Sequence, residues 1–108
     1  MTQARLQQLL SFLIEDPNDP FVLYAIALEY QKNQDAKALQ YFERLLHDHP
    51  DYVPTYYHAA HFYLSLNMKD KAEETYRIGL EKAMDQQNQL ALRELQNAYN
   101  QYLFEEED

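Results

Sequence analysis

The chain has 108 residues with 9 basic and 18 acidic side chains, a formal charge of −9 at pH 7; such a surface repels phosphate backbones and anionic lipid, so neither nucleic acid nor a membrane is an expected partner. One glycine, no cysteine and no tryptophan disfavour an all-β design built on hairpins and left-handed turns, and exclude a disulfide framework and cysteine-ligated zinc. This length predicts one domain over 1–108, burying roughly 65% of its unfolded surface, and the cysteine-free composition suits a reducing, cytoplasmic setting.

The opening stretch, MTQARLQQLLSFLIEDP, has no long apolar run and no small-residue cleavage site, so neither a signal peptide nor a membrane span is expected. Leu6, Leu9, Phe12 and Leu13 recur at helical spacing and predict a helix within residues 2–17. DPNDP (16–20) ends it, and Pro20 opens a second helix, where the first turn tolerates proline. NQD (33–35) separates the second helix from the third, and HPDYVP (49–54) separates the third from the fourth, with Pro54 again at a helix start. NMKD (67–70) and DQQN (85–88) delimit a fifth and a sixth helix, with Asp70 and Asn88 as caps. The closing EEED (105–108) reads as a frayed, solubilising acidic tail. The expected class is all-α, with about six helices.

The segments are copies. Leu23, Ile26, Ala27 and Tyr30 fall 33 residues before Tyr56, Ala59, Ala60 and Tyr63, and Ala38, Phe42 and Leu45 fall 34 before Ala72, Tyr76 and Gly79. The one-residue difference belongs in the turn, NQD against NMKD, because an inserted residue would rotate a packed helix by about 100°. Leu6, Leu9, Phe12, Leu13 and Pro17 likewise precede Leu39, Phe42, Leu45, Leu46 and Pro50 by 33. Paired alanines allow a neighbouring helix to approach closely while the flanking tyrosines fill the space above and below. A mid-helix glycine costs about 1 kcal/mol against alanine, so Gly79 marks tight packing. Small beside large in antiparallel pairs describes a stacked helical solenoid.

At these residues the chain resembles the tetratricopeptide repeat family, whose 34-residue pattern sets a large residue, a Leu-Gly-like pair, a Tyr, an Ala, a Phe or Tyr and a closing Pro. The large residue is Leu23 and Tyr56, and the pair is Ile26-Ala27 and Ala59-Ala60. Then come Tyr30 and Tyr63, Ala38 and Ala72, and Phe42 and Tyr76, with Pro50 closing the first copy. Tryptophan is missing, alanine replaces the family's glycine, and Met84 stands where the second copy would close in proline. The resemblance implies a right-handed solenoid with a half-repeat over 2–17, repeats over 19–50 and 51–84, and a capping helix over 88–104. In that last helix Leu92, Leu95 and Tyr99 keep the first-helix register, but Gln96 occupies the small position, as suits a solvated end helix.

All four histidines fall in HDHPDYVPTYYHAAH (47–61). His47 and His49 are two apart at a helix end and point about 160° from each other, where partial positive charge meets the helix dipole. His58 and His61 are three apart on the next helix and point away from the arc of Tyr56, Ala59, Ala60 and Tyr63. The pairs are not expected to converge, and zinc requires three or four protein ligands, so no metal and no cofactor is expected. Ser11 and Ser65 lack the sharp turn of an activated nucleophile, Glu73 and Glu74 diverge on a helix, and no glycine-rich loop cradles phosphate. No enzymatic activity is expected.

The remaining candidate is a recognition surface of Phe21, Tyr24 and Leu28 on one first helix and Tyr57, His58, His61 and Leu64 on the next. In the tetratricopeptide family such positions line the concave groove that holds a peptide, which implies a non-catalytic protein-interaction module. The subtype that clamps a C-terminal carboxylate needs Lys and Asn where this chain has Tyr24, Leu28 and His58, and is disfavoured. The acidic charge favours a partner with basic flanks. The alternative is a structural, self-associating protein whose aromatic face is a homodimer seam.

Overall fold

A computed structural model describes residues 2–107, so Asp108, the last residue of the expected acidic tail, lies outside the described residues. Six helices follow in order: α1 (Thr2–Glu15), α2 (Pro20–Tyr30), α3 (Asp35–Asp48), α4 (Pro54–Ser65), α5 (Lys69–Asp85) and α6 (Gln89–Glu106). Among the described residues there is no strand, and the breaks fall at the five stretches read from the sequence. The chain divides into two compact units, one ending at Tyr52 and the other beginning at Val53.

In the first unit, α2 is covered almost all round: Val22, Leu23, Ala25, Ile26, Ala27 and Tyr30 are buried, as befits a helix apolar on every side. Its start is well defined, because the Asp19 carboxylate accepts from the Phe21 amide at 3.0 Å and Pro20 occupies the first turn. α3 is amphipathic and buries the stripe Ala38, Phe42 and Leu45, spaced to lie along one face. Tyr30 and Tyr41 stack between α2 and α3 with centroids 5.6 Å apart. Arg44 of α3 donates to the Pro17 carbonyl at 2.8 Å, tying α3 to the turn after α1.

The sequence pattern gave no warning of Glu29. It is buried in α2, where the next repeat has the equally buried Phe62. Arg5 of α1 lies 3.2 Å from its Oε1, and Lys32 pairs with its Oε2. Oε1 has no well-angled hydrogen bond, so the Arg5 contact is an ion pair. Both cationic side chains are more than half exposed, at 62% and 55%, so the carboxylate bears most of the desolvation. Arg5 stands 33 residues before Ala38, at the small position of the half-repeat. Phe12 is 46% exposed where its counterpart Leu45 is fully buried.

In the second unit, three helices meet around Gly79. A Cβ placed there would lie 2.6 Å from Tyr56 Cβ on α4 and 3.3 Å from Leu95 Cδ1 on α6, which explains the mid-helix glycine. Ala59, Ala60 and Ala72 have no exposed surface, as the small-residue pattern requires. Leu95 and Tyr102 are the buried residues of α6, while Gln96 at the small position is exposed.

Two expectations about the turns need correction. Left-handed turns are present despite the lack of glycine: Asn67 and Gln87 have φ of 62° and 55°. Each closes a helix in the same way, with the following residue's amide reaching back to a carbonyl five residues earlier: Met68 to Tyr63 and Asn88 to Ala83, both at 2.9 Å. Asparagine tolerates this conformation, whereas glutamine has only the bonding as compensation. Asp70 is not a cap: α5 is preceded by Met68, and Asp70 lies in the first turn, where its charge still suits the dipole. Asn88 does cap α6, accepting from the Ala91 amide at 3.1 Å. α6 also runs into the expected tail, because Lys69 holds Glu106 at 3.1 Å and Gln101 donates to Glu105 at 3.3 Å.

Candidate functional site

The first-unit candidates occupy one side of α2. Phe21 is 59% exposed, while Tyr24 and Leu28 are half-buried. Tyr24 meets the ring of Tyr52 edge-on, with centroids 5.8 Å apart. Burial, then the Asp19 charge, raises the pKa of Tyr52, so its phenol remains a neutral hydrogen-bonding group near pH 7.

The second-unit candidates lie on α4, where the structure brings three of the four together. Tyr57 stacks on His61 with centroids 4.7 Å apart and planes 20° from parallel, and it meets His58 edge-on at 5.3 Å. His61 in turn touches Tyr76 edge-on at 6.3 Å, linking this face to the stacked tyrosines Tyr76 and Tyr99. Burial and the neighbouring Tyr57 and Glu105 push the Tyr76 phenol up to about 12. Leu64 is half-buried at the far end of the helix, and His61 is exposed.

His58 is less exposed than its neighbour His61 on the same helix. It is half-buried, and burial, followed by the His61 ring, lowers its pKa below the usual histidine value against an opposing pull from Glu94. It is therefore neutral at pH 7. In the first unit, His47 has its Nδ1 2.8 Å from the Asp48 carboxylate. That hydrogen bond is the main cause holding the Asp48 pKa down. The Nε2 of His49 is buried without a partner. Among the described residues, no three His, Cys, Asp or Glu side chains are arranged to hold a metal ion.

Beside the stacked pair lies a cleft of about 240 Å3, walled by Tyr57 and His61 of α4 and by Glu94, Asn97, Ala98 and Gln101 of α6. Reading the sequence for apolar and aromatic residues missed the α6 wall. The signal was nonetheless there, because a shift of 36 residues carries Tyr56, His58, His61 and Tyr63 onto Leu92, Glu94, Asn97 and Tyr99. The last helix thus presents polar residues at the positions where α4 presents imidazoles.

Paired helices of repeated sequence, small residues at each close approach and a side-chain-lined cleft between successive first helices define an all-α helical-repeat scaffold. The tetratricopeptide repeat family model matches residues 27–95, and the chain belongs to that family. It is similar to a tetratricopeptide repeat domain protein from Salinibacter ruber solved by solution NMR, at 44% identity over 80% of this chain and 88% of that one, with a TM-score of 0.75. A crystal structure of a tetratricopeptide repeat domain protein from Salinibacter ruber matches at 44% identity over 75% of this chain and 92% of that one, with a TM-score of 0.71. Comparison with curated proteins found no match. The family is in general a protein-interaction scaffold, and no helix among the described residues is long and apolar enough to cross a membrane.

Proposed function

We propose that the chain is a non-catalytic binding module that holds a peptide or partner protein on the aromatic faces of α2 and α4. The observation that carries this reading is Tyr57, which is half-buried on a stacked imidazole and borders a cleft although α6 packs beside it. Large aromatic residues with one open side dominate binding energy at protein interfaces. The charge of −9 favours a partner with basic flanks, for which added salt slows association more than it speeds release. A cytoplasmic setting belongs to the same proposal and rests on the cysteine-free composition.

The test is affinity capture with wild type and the double variant Tyr24→Ala with Tyr57→Ala, after circular dichroism has established equal helicity. The folded variant should lose the wild-type partners, and recovery of the same partners at equal yield would sink the proposal. Light scattering across concentration addresses self-association. A mass that grows with concentration in wild type but not in the double variant would favour the homodimer seam instead.

A further inference from the structure

We propose that the cleft between α4 and α6 is an arginine subsite: the guanidinium of a partner peptide lies against the Tyr57–His61 stack and pairs with the Glu94 carboxylate. This inference rests on the reading that this face binds a peptide, and it assigns the chemistry of one peptide position.

Charge complementarity identifies the occupant. Glu94 is the one carboxylate lining the cleft, and no lysine or arginine lines it. Glu94 is exposed and, among the described residues, has neither an ion pair nor a hydrogen bond. The titratable neighbour whose pKa it influences, His58, is neutral at pH 7. An unpaired carboxylate at the mouth of an aromatic cleft, in a chain of charge −9, repels acidic side chains and attracts cations.

The other wall residues select among cations. Gln101 donates its amide nitrogen to Glu105 at 3.3 Å, which turns its carbonyl oxygen into the available acceptor. Asn97 adds a second amide, and the short Ala98 side chain leaves room between Glu94 and Gln101. A volume of about 240 Å3 falls below the roughly 300–1,000 Å3 of whole small-molecule sites and suits a single long side chain. The stacked Tyr57 and His61 rings both line the cleft, and the outer face of such a stack offers a planar group a π wall. Guanidinium is planar, stacks on such a wall and carries five donors in a fork that matches a carboxylate. An ammonium group satisfies the charge but neither the stacking nor the fork, so arginine should outrank lysine.

The probe is a random peptide library displayed on phage and selected against the wild-type chain, with affinities of the selected synthetic peptides measured by calorimetry. The expected result is a consensus containing arginine. Glu94→Gln, an exposed and nearly isosteric change, should weaken those peptides by about tenfold or more while circular dichroism stays unchanged. Replacing the peptide arginine by lysine should weaken binding several-fold, and replacing it by glutamate should abolish it. The side-chain amide resonances of Asn97 and Gln101 should move when peptide binds. Peptides without arginine preference that tolerate Glu94→Gln but are lost with Tyr24→Ala and Tyr57→Ala would overturn the arginine subsite and leave the binding face standing. A library that yields no binder, or binders indifferent to both variants, would overturn both proposals.

Discussion

Replacing Gly79 by alanine tests the close approach on which the second unit depends. The added Cβ would lie 2.6 Å from Tyr56 Cβ and 2.9 Å from its Cγ, whereas carbon atoms rest about 3.5–4.0 Å apart. Both Cβ atoms are attached directly to backbone, so no change of rotamer separates them. α5 must therefore retreat from α4 by about 1 Å. The Leu95 methyl, at 3.3 Å, ends a flexible side chain and gives way more easily. A gap of this size forfeits a quarter to a half of the dispersion energy along the α4–α5 seam, where Ala59, Ala60 and Ala72 have no exposed surface. Overpacking costs about 1–3 kcal/mol, and a contact between two backbone-anchored atoms belongs near the upper end. Alanine regains about 1 kcal/mol of helix propensity. The net expectation is a loss of about 2 kcal/mol, or a fall in Tm of about 8–16 °C for a domain of this size. Urea and thermal unfolding followed by circular dichroism measure it, with Met84→Ala on the exposed side of α5 as a control expected within about 0.5 kcal/mol of wild type. A raised or unchanged midpoint for Gly79→Ala would show that helix propensity outweighs the contact, and the packing argument would fail.

Four further outcomes are expected. Thr55 is fully buried and its hydroxyl has no partner, so Thr55→Val should raise stability by about 1 kcal/mol in denaturant titration; a loss would mean that the hydroxyl is satisfied in solution. Gln87→Gly should also stabilise by about 1 kcal/mol, because φ of 55° strains a glutamine but not a glycine; no gain would show that Gln87 relaxes away from this conformation. Arg5→Ala or Lys32→Ala alone should cost under about 1 kcal/mol, since each leaves the other cation on Glu29, while the pair strands a buried carboxylate and should cost about 3 kcal/mol; additive single effects in the double-mutant cycle would refute this sharing. Because burial and His61 lower the His58 pKa in the folded state, the unfolded chain takes up this proton first. Stability should then decline as the pH falls from about 6.5 through the lower folded value, and His58→Gln should flatten that decline in unfolding midpoints collected across this range.

The repeat and the helix ends were legible in the amino-acid order because both are local. Apolar spacing sets the azimuth of each residue on its own helix, and Pro20, Pro54 and Asn88 mark helix starts through bonds within a few residues. Even Gly79 announced a close contact, since nothing in its own helix rewards a glycine. Other features depended on contacts that no residue pattern announces. Glu29 reads as a surface charge until Arg5 and Lys32 are placed over it. Asn67 and Gln87 turn left-handed because backbone amides reach Tyr63 and Ala83 carbonyls, bonds for which the side chains give little sign. The cleft is the clearest case. The sequence placed Tyr57 and His61 on one side of α4, but an azimuth does not say what stands opposite. Only the packing of α6 against α4 and α5 sets Glu94, Asn97 and Gln101 across from the stacked rings, and so decides that this face carries a carboxylate beside its aromatic wall.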